Sequence, residues 1–217
     1  HHGRIVNIDI SKAEKLHGVK AVITGKDVAG VRYGWADGLP PDMYPLAIDK
    51  VRYQGDEVAV VSAIDEEIAE EALDLIKVDY EVLPAIFDPV EALKEGAPQV
   101  HSGIIPSPEM VWEEAGLGRK PAPYKVVKNI CATFTKVHGD TEKGFRESDY
   151  IREDKFVIPA TAHCAMEPHV ALANFDSSGS LQVWLSHMGF EVKRQWLAAT
   201  MGMPLNKVRV LKAYVGG

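Results

Sequence analysis

The stretch YPLAIDKVRYQGDEVAVVSAIDEEIAEEALDLIKVDYEVLPAIFDPVEAL, residues 44–93, decides the fold class because strand-like and helix-like patterns alternate along it. Its first part contains two short runs of strand-forming residues, 51–53 and 57–63. The dipeptide Gly55-Asp56 between them is typical of a tight turn. We therefore predict that the two runs form a β-hairpin.

The second part of this stretch predicts a helix followed by a strand. Asp65 can cap a helix over residues 66–76, in which apolar residues recur on one stripe and the glutamates face water. Residues 78–82 alternate apolar or aromatic residues with charged ones, which predicts a strand with one buried face. This mixture of helices and strands indicates an α+β fold.

The segments before this stretch continue the same pattern. Residues 4–10 are typical of a strand, and the capping box that begins at Ser11 predicts a short helix ending at Gly18. A second strand is predicted over residues 19–23. Residues 25–46 contain too many glycines and prolines for regular structure, so we predict a surface loop there.

Beyond the opening stretch, prolines and glycines loosen the pattern and indicate a domain boundary. We predict one domain over residues 1–97, a connector over 98–124 and a second domain over 125–217. The patterns in these segments predict helices over residues 90–94, 140–147 and 190–201, strands over 124–137, 150–158 and 208–213, and a hairpin formed by 171–175 and 181–185.

Composition argues against several classes of protein. The 217 residues include 24 Lys and Arg against 31 Asp and Glu, a formal net charge of −7, whereas nucleic-acid and anionic-membrane binders need a basic face. A hydrophobic share of 46% is that of a globular domain with a real core. No uncharged run reaches the roughly 18 residues of a membrane-spanning helix. We therefore expect no nucleic-acid partner and no membrane association.

The number of cysteines and the N-terminal sequence indicate the cellular compartment of the protein. Cys131 and Cys164 are the only thiols, too few for a four-thiolate iron–sulfur cluster, so such a cluster in a redox reaction would lie on another chain. The first ten residues contain no apolar segment of signal-peptide type. Together these features predict a cytoplasmic location.

Residues 44–93 resemble the α/β hammerhead domain of the molybdenum hydroxylases, the xanthine dehydrogenase and aldehyde oxidase family. Three later stretches resemble the start of that family's molybdopterin-binding region, in the same order: HGDTEKGFRESDYIREDKFVIP (138–159), HCAMEPHVALANFD (163–176) and WLAATMGMPLNKVRVLKAYVGG (196–217). The resemblance implies an α+β hammerhead domain followed by the first, mixed α/β part of a molybdopterin-binding domain. Residues 44–82 look most similar to the 4-hydroxybenzoyl-CoA reductase large subunit, although aldehyde and N-heterocycle hydroxylases have similar versions.

The resemblance also implies a function. The chain would be part of the molybdenum-cofactor subunit of an oxidoreductase that hydroxylates, or reductively dehydroxylates, an aromatic, heterocyclic or aldehyde substrate. The implied cofactor is molybdenum–molybdopterin in its cytosine dinucleotide form, and the implied partners are an iron–sulfur subunit, an FAD subunit and the remainder of the same large subunit. We expect an N-terminal fragment, inactive and without cofactor on its own, whose exposed apolar surface after residue 125 favours a homodimer. The alternative is a non-catalytic subunit-interface or assembly module.

Gly216 and Gly217 are the cofactor-binding residues that the resemblance implies, since they match the first two glycines of the family's Gly-Gly-Gly-Phe-Gly loop. Backbone N–H groups without side chains can approach anionic oxygens closely. A simple strand-ending turn explains the spacing equally well. The family's catalytic glutamate lies far downstream of this loop, so we expect no catalytic residue in these 217 residues.

Thr161, His163 and Glu167 are implied to lie near the cofactor without binding it. Thr161 stands where many family members have a glutamine that can hydrogen-bond a molybdenum ligand, and His187-Met188 stand where many have Thr-Gln. Both departures argue against xanthine or ordinary aldehydes as the substrate, and the first favours the reductase branch.

A metal site made of side chains is a separate hypothesis for the same segment. His163, Glu167 and His169 would share one face of a straight strand, and imidazole with carboxylate can bind zinc. Pro168 weakens that geometry because it cannot donate to a strand ladder. We therefore predict no metal site of this kind.

Overall fold

A computed structural model describes residues 2–34, 43–101, 104–105, 124–125, 128–130, 136 and 138–216. The strands are β1 (Gly3–Asp9), β2 (Val19–Thr24), β3 (Lys50–Val51), β4 (Ala59–Ala63), β5 (Lys77–Val82), β6 (Ile104–Ile105), β7 (Tyr124–Lys125), β8 (Ala171–Phe175), β9 (Leu181–Leu185) and β10 (Val208–Lys212). The helices are α1 (Glu66–Leu75), α2 (Pro89–Ala92), α3 (Thr141–Glu147) and α4 (Phe190–Thr200), with a 3-10 turn at Leu205–Lys207. The predicted α+β class is confirmed.

The first half of the chain builds two small antiparallel sheets and the helix α1. One sheet has the strand order β3-β1-β5, and the other pairs β2 with β4. Asp65 caps α1 as predicted, because its carboxylate accepts a hydrogen bond of 2.9 Å from the N–H of Ile68. Ala72 is fully buried on the helix, which packs against β4 and β2.

The predicted hairpin over residues 51–63 is wrong. The turn itself exists, with Gly55 at φ 96° and the Asp56 carboxylate accepting a hydrogen bond of 2.8 Å from the N–H of Arg52. The two strands nevertheless lie in different sheets, since β3 pairs with β1 and β4 pairs with β2. A local turn signal sets the bend but not the strand partner.

Two further predictions in this half are wrong. Residues 11–15 form turns instead of a helix, because the Asp9 side chain accepts the N–H of Ser11 at 3.0 Å and replaces the predicted cap. The strand β5 lacks the predicted buried face, since Tyr80 and Val82 are 46% and 73% exposed.

The second half is a three-stranded sheet with the order β10-β9-β8. The strand β9 pairs antiparallel with β8 and parallel with β10, and the connection between β9 and β10 passes through α4. Leu181, Val183, Ala198 and Val208 form the buried core beneath α4. The guanidinium of Arg194 donates to the carbonyls of Val208 (2.8 Å) and Leu205 (2.9 Å), which ties the helix to the start of β10.

Other predictions in the second half have mixed outcomes. The α3 and α4 helices, the 171–185 hairpin and the last strand are confirmed within about two residues. The predicted strand over 150–158 is wrong, because these residues have no regular structure and are exposed. The predicted strand over 124–137 is interrupted, since Lys128 adopts φ 53° in a turn at 128–129. Among the described residues, no helix is long and apolar enough to cross a membrane.

Candidate functional site

The candidate site lies where the parallel strands β9 and β10 end side by side. Their register pairs Leu185 with Lys212, and the N–H of Ala213 still donates to the carbonyl of Leu185 at 3.0 Å. Beyond this point Ser186 follows β9, and Tyr214 to Gly216 follow β10. The carboxyl edge of a parallel strand pair is the usual place for a ligand in α/β sheets.

Glu167 reaches this edge from the irregular segment 161–170. Its carboxylate Oε2 accepts a hydrogen bond from the N–H of Gly216, a residue 49 positions later. The hydroxyl of Ser186 donates to the carbonyl of Tyr214 at 2.9 Å. The structure therefore brings together two of the residues that the sequence singled out, Glu167 and Gly216, and adds Ser186.

A side chain at position 216 would meet the side chain of Glu167. A Cβ atom built there would lie 2.9 Å from Oε2 and 3.2 Å from Cβ of Glu167, so any other residue would displace the carboxylate. This close approach of the carboxylate favours glycine here, and Gly216 does not adopt a positive φ. The bare backbone of Gly216 lets the Glu167 carboxylate approach the peptide N–H closely.

Hydrogen bonds lower the pKa of the Glu167 carboxyl below its ordinary value. The Ser186 hydroxyl contributes most, the Gly216 N–H comes next, and the nearby His169 adds attraction, while partial burial opposes them. The Ser186 hydroxyl has a single proton, so it donates either to this carboxylate or to the Tyr214 carbonyl at any moment. Glu167 is therefore ionised at neutral pH and can only accept hydrogen bonds.

The remaining predicted site residues lie outside this cluster. Thr161 and His163 are exposed, and no hydrogen bond in the described part of the chain joins either to Glu167 or Gly216. Gly217 lies outside the described residues. The His187 ring accepts the N–H of Gly189 at 2.9 Å, a contact that shapes the entry to α4.

The described ranges contain no group of His, Cys, Asp and Glu side chains that could hold a metal ion. The segment that carries His163, Glu167 and His169 is irregular, so the shared strand face that a metal site would need does not form. Sequence reasoning missed Ser186 and Tyr214. Their only signal is position, since each follows directly on a predicted strand that ends at the same edge.

Comparison with known protein families gives two matches. Residues 1–84 match the family model "Aldehyde oxidase and xanthine dehydrogenase, a/b hammerhead domain", and residues 123–217 match "Molybdopterin cofactor-binding domain". The two matches occur in the order that the sequence resemblance implies.

Individual relatives agree with these models. The chain is 34% identical over 217 residues to a probable xanthine dehydrogenase subunit of Bacillus subtilis (strain 168), covering all of this chain and 26% of the relative. It is 31% identical to the nicotinate dehydrogenase large molybdopterin subunit of Eubacterium barkeri, covering all of this chain and 45% of the relative.

A solved structure has the same fold. The aldehyde oxidoreductase from Desulfovibrio gigas superimposes with a TM-score of 0.74 at 26% identity, and the match covers all of this chain and 22% of that one. The chain thus spans between about a fifth and a half of the length of these three proteins.

Proposed function

Because the chain belongs to the aldehyde oxidase and xanthine dehydrogenase family, we propose that it works as part of the molybdopterin-binding subunit of an oxidoreductase. The observation that carries this proposal is the order of the two matched domains, with the bare backbone of Gly216 at the sheet edge inside the second.

The residues of this chain would contribute backbone and positioning. Gly216 and Gly217 would bring bare backbone close to an anionic group of the cofactor, and Glu167, whose carboxylate accepts the N–H of Gly216, would position that backbone. When bound, a molybdenum–molybdopterin group supplies two-electron redox chemistry. The catalytic glutamate of the family would come from elsewhere in the subunit.

The proposed substrate class is an aromatic, heterocyclic or aldehyde compound. Among the relatives, the names refer to xanthine, nicotinate and an aldehyde, which supports a small planar or carbonyl-containing molecule. The 4-hydroxybenzoyl-CoA reductase branch stays a prediction that rests on residues 44–82 and on Thr161. The reaction would be hydroxylation with oxygen from water, or its reductive counterpart.

The partners and finer details belong to the same proposal. The relatives include subunits of multi-subunit enzymes, which supports partner subunits carrying the iron–sulfur clusters and the flavin that this chain's two cysteines cannot replace. The cytosine dinucleotide form of the cofactor and a cytoplasmic location rest on the sequence alone. The sequence alone also supports the domain bounds 1–97, 98–124 and 125–217. It likewise supports the expectation that the 217 residues are inactive on their own.

The exposed apolar surface of the chain also fits the alternative of a subunit-interface or assembly module. The segment 150–175 carries large apolar side chains on its surface, among them Phe156 at 85% and Ile158 at 90% exposed. Exposed apolar surface of this extent marks an interaction site. The same observation fits a catalytic subunit that packs against its own remainder, so it does not separate the two functions.

Affinity purification of the natural polypeptide, followed by a dye-reduction assay, tests the proposal against the alternative. We expect iron–sulfur and flavin subunits to co-purify, and the complex to reduce an artificial acceptor with an N-heterocycle or an aldehyde. Co-purification without any such activity in a host that makes the cofactor would support the assembly module and contradict the enzyme.

A further inference from the structure

The end of β10 is held by side chains after its ladder hydrogen bonds stop. The N–H of Ala213 makes the last backbone hydrogen bond to β9. After it, the Ser186 hydroxyl binds the carbonyl of Tyr214, and the Glu167 carboxylate binds the N–H of Gly216. The peptide groups before and after Val215 are therefore each fixed by a side chain from another segment.

Glu167 is less exposed to solvent than the other residues of the irregular segment 161–170. Every other residue between 161 and 170 is exposed, whereas Glu167 is half-buried and turned toward the ends of β9 and β10. An acidic side chain leaves water only when hydrogen bonds replace its hydration. The Gly216 N–H supplies such a hydrogen bond.

We propose that Glu167 is a positioning residue whose carboxylate fixes the peptide plane at Gly216 and so sets the path of the glycine backbone toward the cofactor. We call the hydrogen bond from the Gly216 N–H to the Glu167 carboxylate the clamp. The identity of the cofactor rests on the proposed function, but the clamp does not. An ionised carboxylate has no proton to donate to an anionic cofactor oxygen and would repel it at close range, so it acts through the backbone and not by binding the cofactor.

Amide hydrogen exchange of Gly216 in the 217-residue chain, read by NMR, tests the clamp. Glu167→Ala removes the acceptor and should speed exchange at Gly216 at least about tenfold, because a hydrogen bond to a charged group is lost. Glu167→Gln retains a carbonyl oxygen of the same reach and should restore most of the protection. Glu153→Gln, an exposed glutamate of the same irregular region, is the matched control and should change nothing.

The pH dependence of amide exchange at Gly216 is a second measurement, and a purely structural role of Glu167 would not affect it. The protection of the Gly216 amide, meaning its exchange rate relative to that of the same amide in an unfolded chain, should be high above the lowered pKa of Glu167 and should fall as the pH falls through that pKa. The Glu167→Gln variant should lose this acid transition. The amide of Val183 in the sheet core reports whether each variant is folded, and Glu167→Gln remains a valid test if Glu167→Ala unfolds.

Unchanged Gly216 exchange in folded Glu167→Ala, or the same acid transition in Glu167→Gln, would overturn the inference. Molybdenum content of the natural polypeptide separates the two proposals. If the wild-type polypeptide carries no molybdenum while the clamp is observed, the proposed function fails and the clamp stands. If it carries molybdenum and amide exchange at Gly216 does not change when Glu167 is replaced, only the clamp fails.

Discussion

Gly25 and Gly30 lie in the same loop, but only Gly25 lacks room for a side chain. A methyl group on Gly25 would overlap the carbonyl of Ala47 and come within 2.9 Å of Cα of Ile48, and both are backbone atoms. A methyl group on Gly30 would meet nothing within 4 Å. Neither glycine adopts a positive φ, so space alone distinguishes them.

We predict that Gly25→Ala lowers the free energy of unfolding by about 1–3 kcal/mol, the usual cost of overpacking, and that Gly30→Ala changes it by less than about 0.5 kcal/mol. Urea unfolding followed by circular dichroism measures both. Equal effects in the two variants would mean that the segment carrying Ala47 moves away freely, contrary to this packing.

Asp176 gives a pH prediction at the turn between β8 and β9. Its carboxylate accepts from the Ser178 hydroxyl and from the N–H groups of Ser178 and Ser180, at 2.6–3.0 Å. These bonds, the Ser178 hydroxyl first, hold the pKa of Asp176 below its ordinary value of 3.8. A carboxyl with a lowered folded-state pKa stabilises the fold above its ordinary pKa, and this contribution disappears as the pH falls through the folded value.

We therefore expect the amide resonances of Ser178 and Ser180 to shift together in acid, with a midpoint below 3.8, and the hairpin to lose stability over that range. In the Asp176→Asn variant both shifts should be absent. A midpoint at or above 3.8 in the wild-type chain would show that the turn does not prefer the ionised form.

Single residues of the candidate site could be predicted from the sequence, but the contacts that they make could not. Glu167 and Gly216 could be named from the resemblance, yet their hydrogen bond depends on how two segments 49 residues apart meet. No local pattern encodes such a meeting. Ser186 was missed for the same reason, since a serine after a strand is common and its partner is chosen by the tertiary fold.

Helices and strands with strong local signals could be predicted from the sequence, but the pairing of the strands into sheets could not. The helix α1 follows from Asp65 and the spacing of its apolar residues, which act within one segment. The strands β3 and β4 were predicted as elements but assigned to one hairpin. Their actual partners, β1 and β2, are distant in sequence, so the choice depends on packing.

The sheet β10-β9-β8 offers a matched pair of leucines. Leu181 on β9 is 3% exposed in the core beneath α4, whereas Leu172 on the neighbouring strand β8 is 63% exposed. We predict that Leu181→Ala lowers the free energy of unfolding by about 2–5 kcal/mol and that Leu172→Ala changes it by less than about 0.5 kcal/mol. Chemical denaturation measures both. A similar cost at Leu172 would show that β8 is covered in solution.

For the whole molecule, the exposed apolar residues of segment 150–175 have a physical consequence. Phe156, Val157 and Ile158 are between 79% and 90% exposed, and every residue of β8 is exposed. The predicted apolar surface after residue 125 is therefore present. Such a surface on an isolated chain favours self-association.

We expect the 217-residue chain to form dimers or larger species in sedimentation velocity, as the sequence resemblance predicts, and a Phe156→Ser, Ile158→Ser double variant to shift the population toward monomer. A Phe87→Ser variant is the control, because Phe87 is 94% exposed in the other half of the chain. A wild-type chain that stays monomeric at all concentrations would contradict this expectation.

Contacts between the halves show why domain assignment needs the tertiary structure. The Asn129 amide donates to the carbonyls of Ala92 and Pro98 at 3.0 and 2.9 Å, and the ring of Tyr33 lies 6.1 Å from that of Trp196. Composition could place a boundary in the proline-rich region, but nothing local indicates these contacts.

The central claim, that the chain is part of a molybdopterin-binding subunit, is tested most directly by the molybdenum and pterin content of the natural polypeptide that contains these residues. Elemental analysis and fluorescence of the oxidised pterin measure the two components. We predict stoichiometric molybdenum with matching pterin in that polypeptide, and neither in the isolated 217-residue chain. Absence of both from the natural polypeptide, in a host whose other enzymes carry the cofactor, would contradict the claim.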